Sequence, residues 1–383
     1  MPNIITSSNT TLSRKTIKRK IEKQQLSRLF RGAYIDTAEY VALDPAGQYR
    51  ARAQAFLATH PKLKAWGITA AALMGAPVLA GAPLHFSGAR GFARSKQKGC
   101  VFHEALAGVP EVNNRTAQIL FECVVASPLP DALIAANYLL SSFTKNGKNS
   151  LLAWRDIDGQ TREAFLRRPL DTKTNLVKAN ITPDVRQLDP LRPDFLRAYS
   201  AARITQFASP AAELVWLDFA QFCCAFGSKR AIRKALGAGL YFSDQMDSPA
   251  ESLLIARCVE LGFCLPHLQV NITDPTNDHF LGRVDGLWPS AAVLKGLRQQ
   301  DDKFGRVLYS KQFGDFDSVI VEFDGRQKYQ ENYAATLEQE RQRQNAINNL
   351  GFRFVRINWD DLMRPEVLRK IFQAAKVPRA KRE

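Results

Sequence analysis

The stretch 318–329 reads SVIVEFDGRQKY. Ser318 to Asp324 is a run of β-branched and aromatic residues that Gly325 stops, which predicts a strand. Side chains alternate faces along a strand, so Glu322 and Asp324 point the same way. A carboxylate inside Val-Ile-Val-Glu-Phe is costly unless it is paired or coordinated, which marks Glu322 as a residue with a partner. Working outward, a long helix is predicted over Tyr333–Asn349, followed by a strand over Phe352–Ile357. Upstream, Leu281–Trp288 reads as a strand carrying Asp285, and Leu268–Ile272 as another. Before them, Ser248-Pro249-Ala250-Glu251 opens a helix with Leu253, Leu254, Cys258 and Leu261 on one face, and Gly262 ends it. Helix, three strands, helix, strand is the order of a compact α/β layer around a four-stranded mixed sheet.

If the strand with Asp285 pairs beside the strand with Glu322 and Asp324, three carboxylates converge. Such a cluster repels itself in a low dielectric unless a divalent cation neutralises it. Hard carboxylate oxygens suit Mg²⁺ or Mn²⁺. An ion held by Asp285, Glu322 and Asp324 lowers the pKa of a water and stabilises the leaving oxygen of a phosphodiester. Lys328, four residues past Asp324, is placed to steady developing negative charge. Each residue also has a plainer reading. Glu251 fits a helix cap, Asp285-Gly286 a turn, Asp324-Gly325 a hairpin signal and Lys328 a surface lysine. Glu340 and Arg343, three apart on the long helix, fit a surface ion pair. Arg356 on the last strand is suited to a carboxylate or a phosphate, and Trp359 reads as core.

These residues resemble the PD-(D/E)XK nuclease superfamily, in the DUF559 branch similar to Vsr endonucleases. The matching pieces are SPAES, GFCLPHLQV, GRVDGLW, VIVEFDGRQKY, EQERQRQNAINNLGFRFVRINWDDL and the final RP, spanning about Ser248 to Pro365. The resemblance implies a restriction-endonuclease-like α/β domain and metal-dependent hydrolysis of DNA. It assigns the first-helix acid to Glu251, the metal-binding Asp to Asp285 and the third-strand site to Glu322 and Asp324. The superfamily's Glu-x-Lys is here Glu322-x-Asp324, so the lysine's function falls to Lys328. The connection from Pro289 to Asp317 is longer than usual. An inactive nuclease fold in a DNA-binding regulator is the alternative that these departures favour.

Charge is concentrated at the other end. Between Thr10 and Ile35 lie Arg14, Lys15, Lys18, Arg19, Lys20, Lys23, Arg28 and Arg31 against one acid, Glu22. Ser13 is a fitting N-cap, and Ile17 and Ile21 fall four apart on one helical face. Leu26–Phe30 then alternates, Arg31-Gly32 turns, and Ala33-Tyr34-Ile35 returns as a strand. A basic helix before a basic hairpin is the order of a winged helix-turn-helix, whose helix enters the major groove while the wing touches phosphate. A solvated helix on a basic protein is the plainer alternative. The segment TLSRKTIKRKIEKQQLSRLFRGAYI resembles the N-terminal winged helix of AbiEi-type antitoxins. ITAAALMGAPVL and KGCVFHEALAGVPEVNNRTAQILFECVVASPLPDALIAANYLL resemble the middle module of that family, with Glu122 where an Asp is usual. This resemblance covers about the first third of the chain and implies binding to double-stranded DNA. It suggests a setting in defence, mobile-element control or repair, with a toxin or defence-system component as protein partner.

The expected architecture is therefore α+β and multidomain. A winged helix-turn-helix occupies 1–50, an AbiEi-like middle module 51–142, a loop-rich and helical bridge 143–240 and the nuclease-like domain 241–383. In the bridge, Ala212, Leu214, Leu217 and Phe219 recur at helical spacing, and Cys223-Cys224 sits among apolar residues. Over 383 residues, 53 Lys+Arg against 37 Asp+Glu give a net charge of +16, which points to a polyanionic partner. A hydrophobic content of 45% excludes a mainly disordered chain. The weakly polar stretch Ile68–Pro83 is too short to span a bilayer, and no secretion signal opens the chain, so no membrane partner is expected. The six cysteines form no C-x-x-C pair and the five histidines no ligand spacing, so neither zinc nor a disulfide framework is expected and a cytoplasmic setting is.

Overall fold

In the computed structural model, the described residues are 3–6, 9–88, 97–106, 116–145, 207, 209–226, 228–273, 279–289, 318–324, 333–349 and 351–380. They form a mixed α/β structure with twelve helices and ten strands. The chain divides into two compact units, Met1–Thr205 with Ser209–Asp244, and Gln206–Ala208 with Gln245–Glu383.

The first unit begins with strand β1 (Ile5–Thr6), helix α1 (Arg14–Glu22) and the strands β2 (Leu26–Phe30) and β3 (Ala33–Asp36). Ser13 caps α1 by accepting from Thr16 N at 3.1 Å. Phe30 pairs with Ala33, leaving Arg31 and Gly32 as the two-residue turn. Gly32 takes φ +82°, a left-handed value that the turn demands and glycine adopts freely. β1 pairs antiparallel with β3, giving the sheet order β1-β3-β2. Asp36 ends β3 and caps helix α2 (Thr37–Ala42) through Ala38 N and Glu39 N. Asp44 caps α3 (Pro45–Thr59), with proline at its first position. Helix α3 therefore runs through position 50, where the sequence reading drew a domain boundary.

Strands β4 (Lys64–Ala65), β5 (Leu84–Gly88) and β6 (Cys100–Glu104) make a second sheet, with β5 and β6 parallel. Phe30, Phe56, Phe86 and Phe102 pack together at its core. Tyr49 reaches into this core and bonds Thr69 Oγ1 at 2.7 Å and the Pro83 carbonyl at 2.9 Å. Helix α4 (Gly67–Leu73) packs on α5 (Thr116–Ala126), and α5 on α6 (Leu129–Lys145). Two further helices, α7 (Pro210–Phe226) and α8 (Lys229–Gly239), join this bundle rather than bridging two domains. On α7, Ala212 and Phe219 are buried but Leu214 is 42% exposed, a departure from the stripe read in the sequence. The inward face is carried instead by Val215, Trp216, Phe219, Phe222 and Cys223. Phe195, Tyr199 and Ile204, which the sequence also sets at helical spacing, lie outside the described residues. Cys223 and Cys224 are buried as free thiols, as their apolar neighbours predict.

The second unit follows the element order expected from the sequence. Helix α9 (Pro249–Leu261) leads to strands β7 (His267–Thr273), β8 (Phe280–Trp288) and β9 (Val319–Phe323), helix α10 (Tyr333–Asn349) and strand β10 (Arg353–Ile357). The sheet order is β10-β9-β8-β7; β9 and β10 run parallel and the other pairs antiparallel, so the sheet is mixed. Helices α11 (Trp359–Met363) and α12 (Pro365–Ala374) close the unit. Leu287 packs with Val270, Ile320, Phe352 and Ile347 of α10. Its neighbour Trp288 points to the other face and meets Phe372 of α12 edge-on. The sheet is thus covered by α10 on one face and by α12 on the other. Trp359, read as core from the sequence, is 44% exposed, because it stands at the first turn of α11.

Candidate functional site

The site grows from the end of the β8–β9 ladder. Gly286 pairs with Val321, the last rung on that side. One residue further, the antiparallel register sets Asp285 opposite Glu322. The backbone ladder gives way there: Phe323 N–H donates to Asp285 Oδ2 at 2.9 Å. The Asp285 carboxylate therefore lies between the two strands, beside the Glu322 backbone, and not in a turn. The turn alternative for Asp285-Gly286 is excluded by its place inside β8.

Glu251 approaches from the first turn of α9. Ser248 caps this helix, accepting from Glu251 N at 3.3 Å and donating from its own hydroxyl to Glu251 Oε1 at 2.9 Å. Asp247 N donates to Oε2 at 2.9 Å. Glu251 thus performs the capping role that its sequence allows. It does more than that, because the carboxyl is buried. Burial pushes its pKa up from 4.5 to about 7; hydrogen bonds from Asp247, Gln269 and Ser248 resist the rise and the charge of Asp285 adds to it. Gln269 is the contact that sequence reasoning missed. It lies between the pairs Leu268–Gly286 and Val270–Val284, with φ +54°. This left-handed kink in the strand accompanies its side chain's hydrogen bond to Glu251. A polar residue in an alternating strand was the only sequence signal.

Glu322 is 8% exposed on β9 and is held by arginines. Arg343 of α10 donates to Glu322 Oε1 at 2.7 Å, and Arg356 of β10 stands 3.8 Å from Oε2. Arg356 also faces Asp324 Oδ1 at 3.5 Å and donates to Gln344 at 3.0 Å. Arg356 is next to Glu322 because the parallel register pairs these two residues. Arg343 comes from the helix above and crosses β8 at Gly282. A Cβ on Gly282 would lie 2.8 Å from Arg343 Cδ, so a side chain there would collide with the arginine stem. Arg343, which the sequence also allows to pair with Glu340, contacts Glu322; the Glu340 side chain is not among the described ones.

Helix α9 and strands β8 and β9 thus bring Glu251, Asp285 and Glu322 to one end of the sheet, with Asp324 at the end of β9. Lys328 lies outside the described residues. Among the described residues, no group of three His, Cys, Asp or Glu side chains is placed to hold a metal ion. The reason is visible in the pairings: Glu322 and Asp324 are turned towards guanidinium groups. The donor set itself consists of hard carboxylate oxygens, which fit Mg²⁺ or Mn²⁺ by chemistry.

In the first unit, Arg14, Lys15, Lys18 and Arg19 are exposed on α1 and Lys20 is half-buried, while Ile17 turns inward. Arg28 on β2 and Arg31 at the hairpin turn are exposed as well. Only a distant i,i+4 contact, Lys18 to Glu22 at 3.9 Å, is recorded among these cations. No helix among the described residues is long and apolar enough to cross a membrane. Comparison with protein-family models, with curated proteins and with solved structures gives no match for this chain.

Proposed function

We propose that this chain is a DNA-binding, divalent-metal-dependent endonuclease that hydrolyses phosphodiester bonds. The observation that carries this reading is the opposition of Asp285 and Glu322 where the β8–β9 ladder ends, with the buried Glu251 beside them. Three separate elements deliver acids to this end of the sheet, where burial makes each of them costly unless it is paired or coordinated. In this reading Asp285, Glu322 and Asp324 hold the ion. The bound ion would supply a water of lowered pKa and neutralise the phosphodiester. Asp285 is kept in position by the Phe323 N–H, and Glu251 and Gln269 brace the strand beside it. Arg356 would meet a phosphate oxygen, and the lysine's part in steadying developing charge would fall to Lys328. The basic helix α1 and the β2–β3 hairpin act as a winged helix that brings duplex DNA to the protein, with Arg28 and Arg31 on the backbone.

Incubating the purified protein with plasmid and Mg²⁺ or Mn²⁺ tests the reading. Metal-dependent cleavage that Asp285→Ala abolishes supports it; cleavage that survives this change means that the chemistry lies elsewhere. A second reading draws on the Arg343–Glu322 contact: an AbiEi-like DNA-binding regulator whose nuclease fold is inactive because arginine permanently occupies the acid. Duplex binding without cleavage and without any Mn²⁺ binding favours it.

A further inference from the structure

Helix α3 carries Arg52 four residues before Phe56, so the two side chains leave the helix on one face. Phe56 belongs to the aromatic core, where Phe30 of β2 meets it edge-on at 4.9 Å and Phe86 and Phe102 lie against it. Arg52 stands one turn nearer the start of the helix. Its guanidinium lies over the Phe30 ring, 6.0 Å from the centroid. It also borders the turn into β6. Gly99 takes φ +76°, and a Cβ there would lie 3.1 Å from Arg52 Nη2, so glycine supplies both the left-handed bend and the clearance. The charge reaches the Cys100 thiol as well, where it opposes the rise to about 11 that burial causes.

This half-buried guanidinium is held by an aromatic face and a glycine, and no acid answers it. Arg50, two residues earlier, faces Asp44 at 3.9 Å, but among the described residues the Arg52 side chain has no ion pair or hydrogen bond. The same holds for Arg31, which follows Phe30 in the hairpin turn, and for Lys98, which precedes Gly99; both are exposed. Leaving a cation partly desolvated and unpaired is costly, and an arriving anion removes that cost. We propose that Arg52 and Lys98 join Arg31 in a phosphate-binding surface that carries duplex DNA past the hairpin tip and onto the β4-β5-β6 sheet. The inference rests on the duplex-binding part of the reading above and deepens it. The surface crosses position 50, so the hairpin and the sheet after it act on DNA as one piece. Phe30 and Gly99 hold the Arg52 guanidinium in place before a phosphate comes, which lessens the freedom it loses on binding.

The test measures anisotropy of a labelled duplex against salt concentration, in EDTA, for the full-length wild type, Arg52→Met and Lys98→Gln. Methionine keeps an apolar stem over Phe30 and removes only the charge. Each variant is expected to lower the salt slope by about one unit. At about 0.1 M salt a lost exponent of about 0.9 makes binding about eightfold weaker, whatever the duplex sequence. An arginine that merely covers the aromatic core leaves the slope where it was, even if the melting temperature drops. A wild-type slope in Arg52→Met overturns the proposal, and a lowered slope in Arg28→Ala alongside it leaves the duplex-binding reading standing. Absence of salt-dependent duplex binding from the wild type overturns both. If Arg52→Met fails to fold, Lys98→Gln decides: a slope lowered by about one unit supports the surface and an unchanged one overturns it.

Discussion

Replacing Glu251 by glutamine is expected to abolish a pH dependence of stability that the wild type carries in its second unit. Its folded-state pKa is about 7 against an ordinary 4.5. A raised carboxyl pKa means that the folded protein holds a proton that the unfolded chain has released between those values. Its stabilising contribution is complete below pH 4.5 and is lost as the pH rises through about 7. At about 1.4 kcal/mol per unit, the loss amounts to about 3 kcal/mol. Burial is the cause, and Glu251 is 2% exposed, so solvent screening does not erase it. Glutamine keeps the hydrogen bonds: its oxygen accepts from Asp247 N, its amide donates to Ser248 Oγ, and Gln269 presents its carbonyl instead of its amide. Calorimetric melting of wild type and Glu251→Gln between about pH 4.5 and 8.5 reads the effect, since about 3 kcal/mol moves the transition of a unit this size by about 6–12 °C. The wild-type curve is expected to fall towards high pH relative to the variant, with the inflection near neutrality. Parallel curves across that window refute the claim that Glu251 is buried with a raised pKa.

Three further outcomes follow from other contacts. Arg28→Ala and Arg31→Ala are expected to weaken duplex binding whatever the sequence and to lower the salt slope by about one unit each; unchanged slopes in salt-dependent titrations remove the hairpin from the phosphate interface. Tyr49→Phe takes away the hydroxyl that joins Thr69 to the Pro83 carbonyl and should cost about 1–2 kcal/mol in urea unfolding. A value within experimental error of wild type would mean that the bond adds nothing. Lys234→Met removes the donor to the carbonyls of Val125 and Ser127 at the end of α5 and is expected to cost about 1 kcal/mol, read as faster amide exchange in the last turn of α5.

The second unit was legible because its local signals agree. Ser248-Pro249-Ala250-Glu251 announces a helix start, Gly262 its end, and Val319–Phe323 a buried strand, and each stands as the pattern predicts. Strand alternation placed Glu322 and Asp285 on their strands, while the register that sets them opposite each other is a non-local property. Gln269 was missed because a left-handed residue inside a strand leaves no mark in hydrophobic periodicity. The grip of Arg343 on Glu322 was missed for a similar reason: it depends on a helix crossing a strand at a glycine 61 positions away in sequence, at Gly282. Trp359 was misjudged from its size, which says nothing of where a helix begins. In the first unit, α5 is buried nearly all round, so it shows no amphipathic stripe to read.

The kink at Gln269 has a consequence for how this protein behaves in a crowded solution. Strand β7 ends the described sheet, and an outermost strand offers a free ladder of amide and carbonyl groups to any passing chain. The left-handed residue at 269 and the register shift between Ile272 and Thr273 interrupt that ladder twice. A foreign strand cannot keep step along it, so the same distortion that steadies Glu251 also guards the sheet against adhesion to its neighbours.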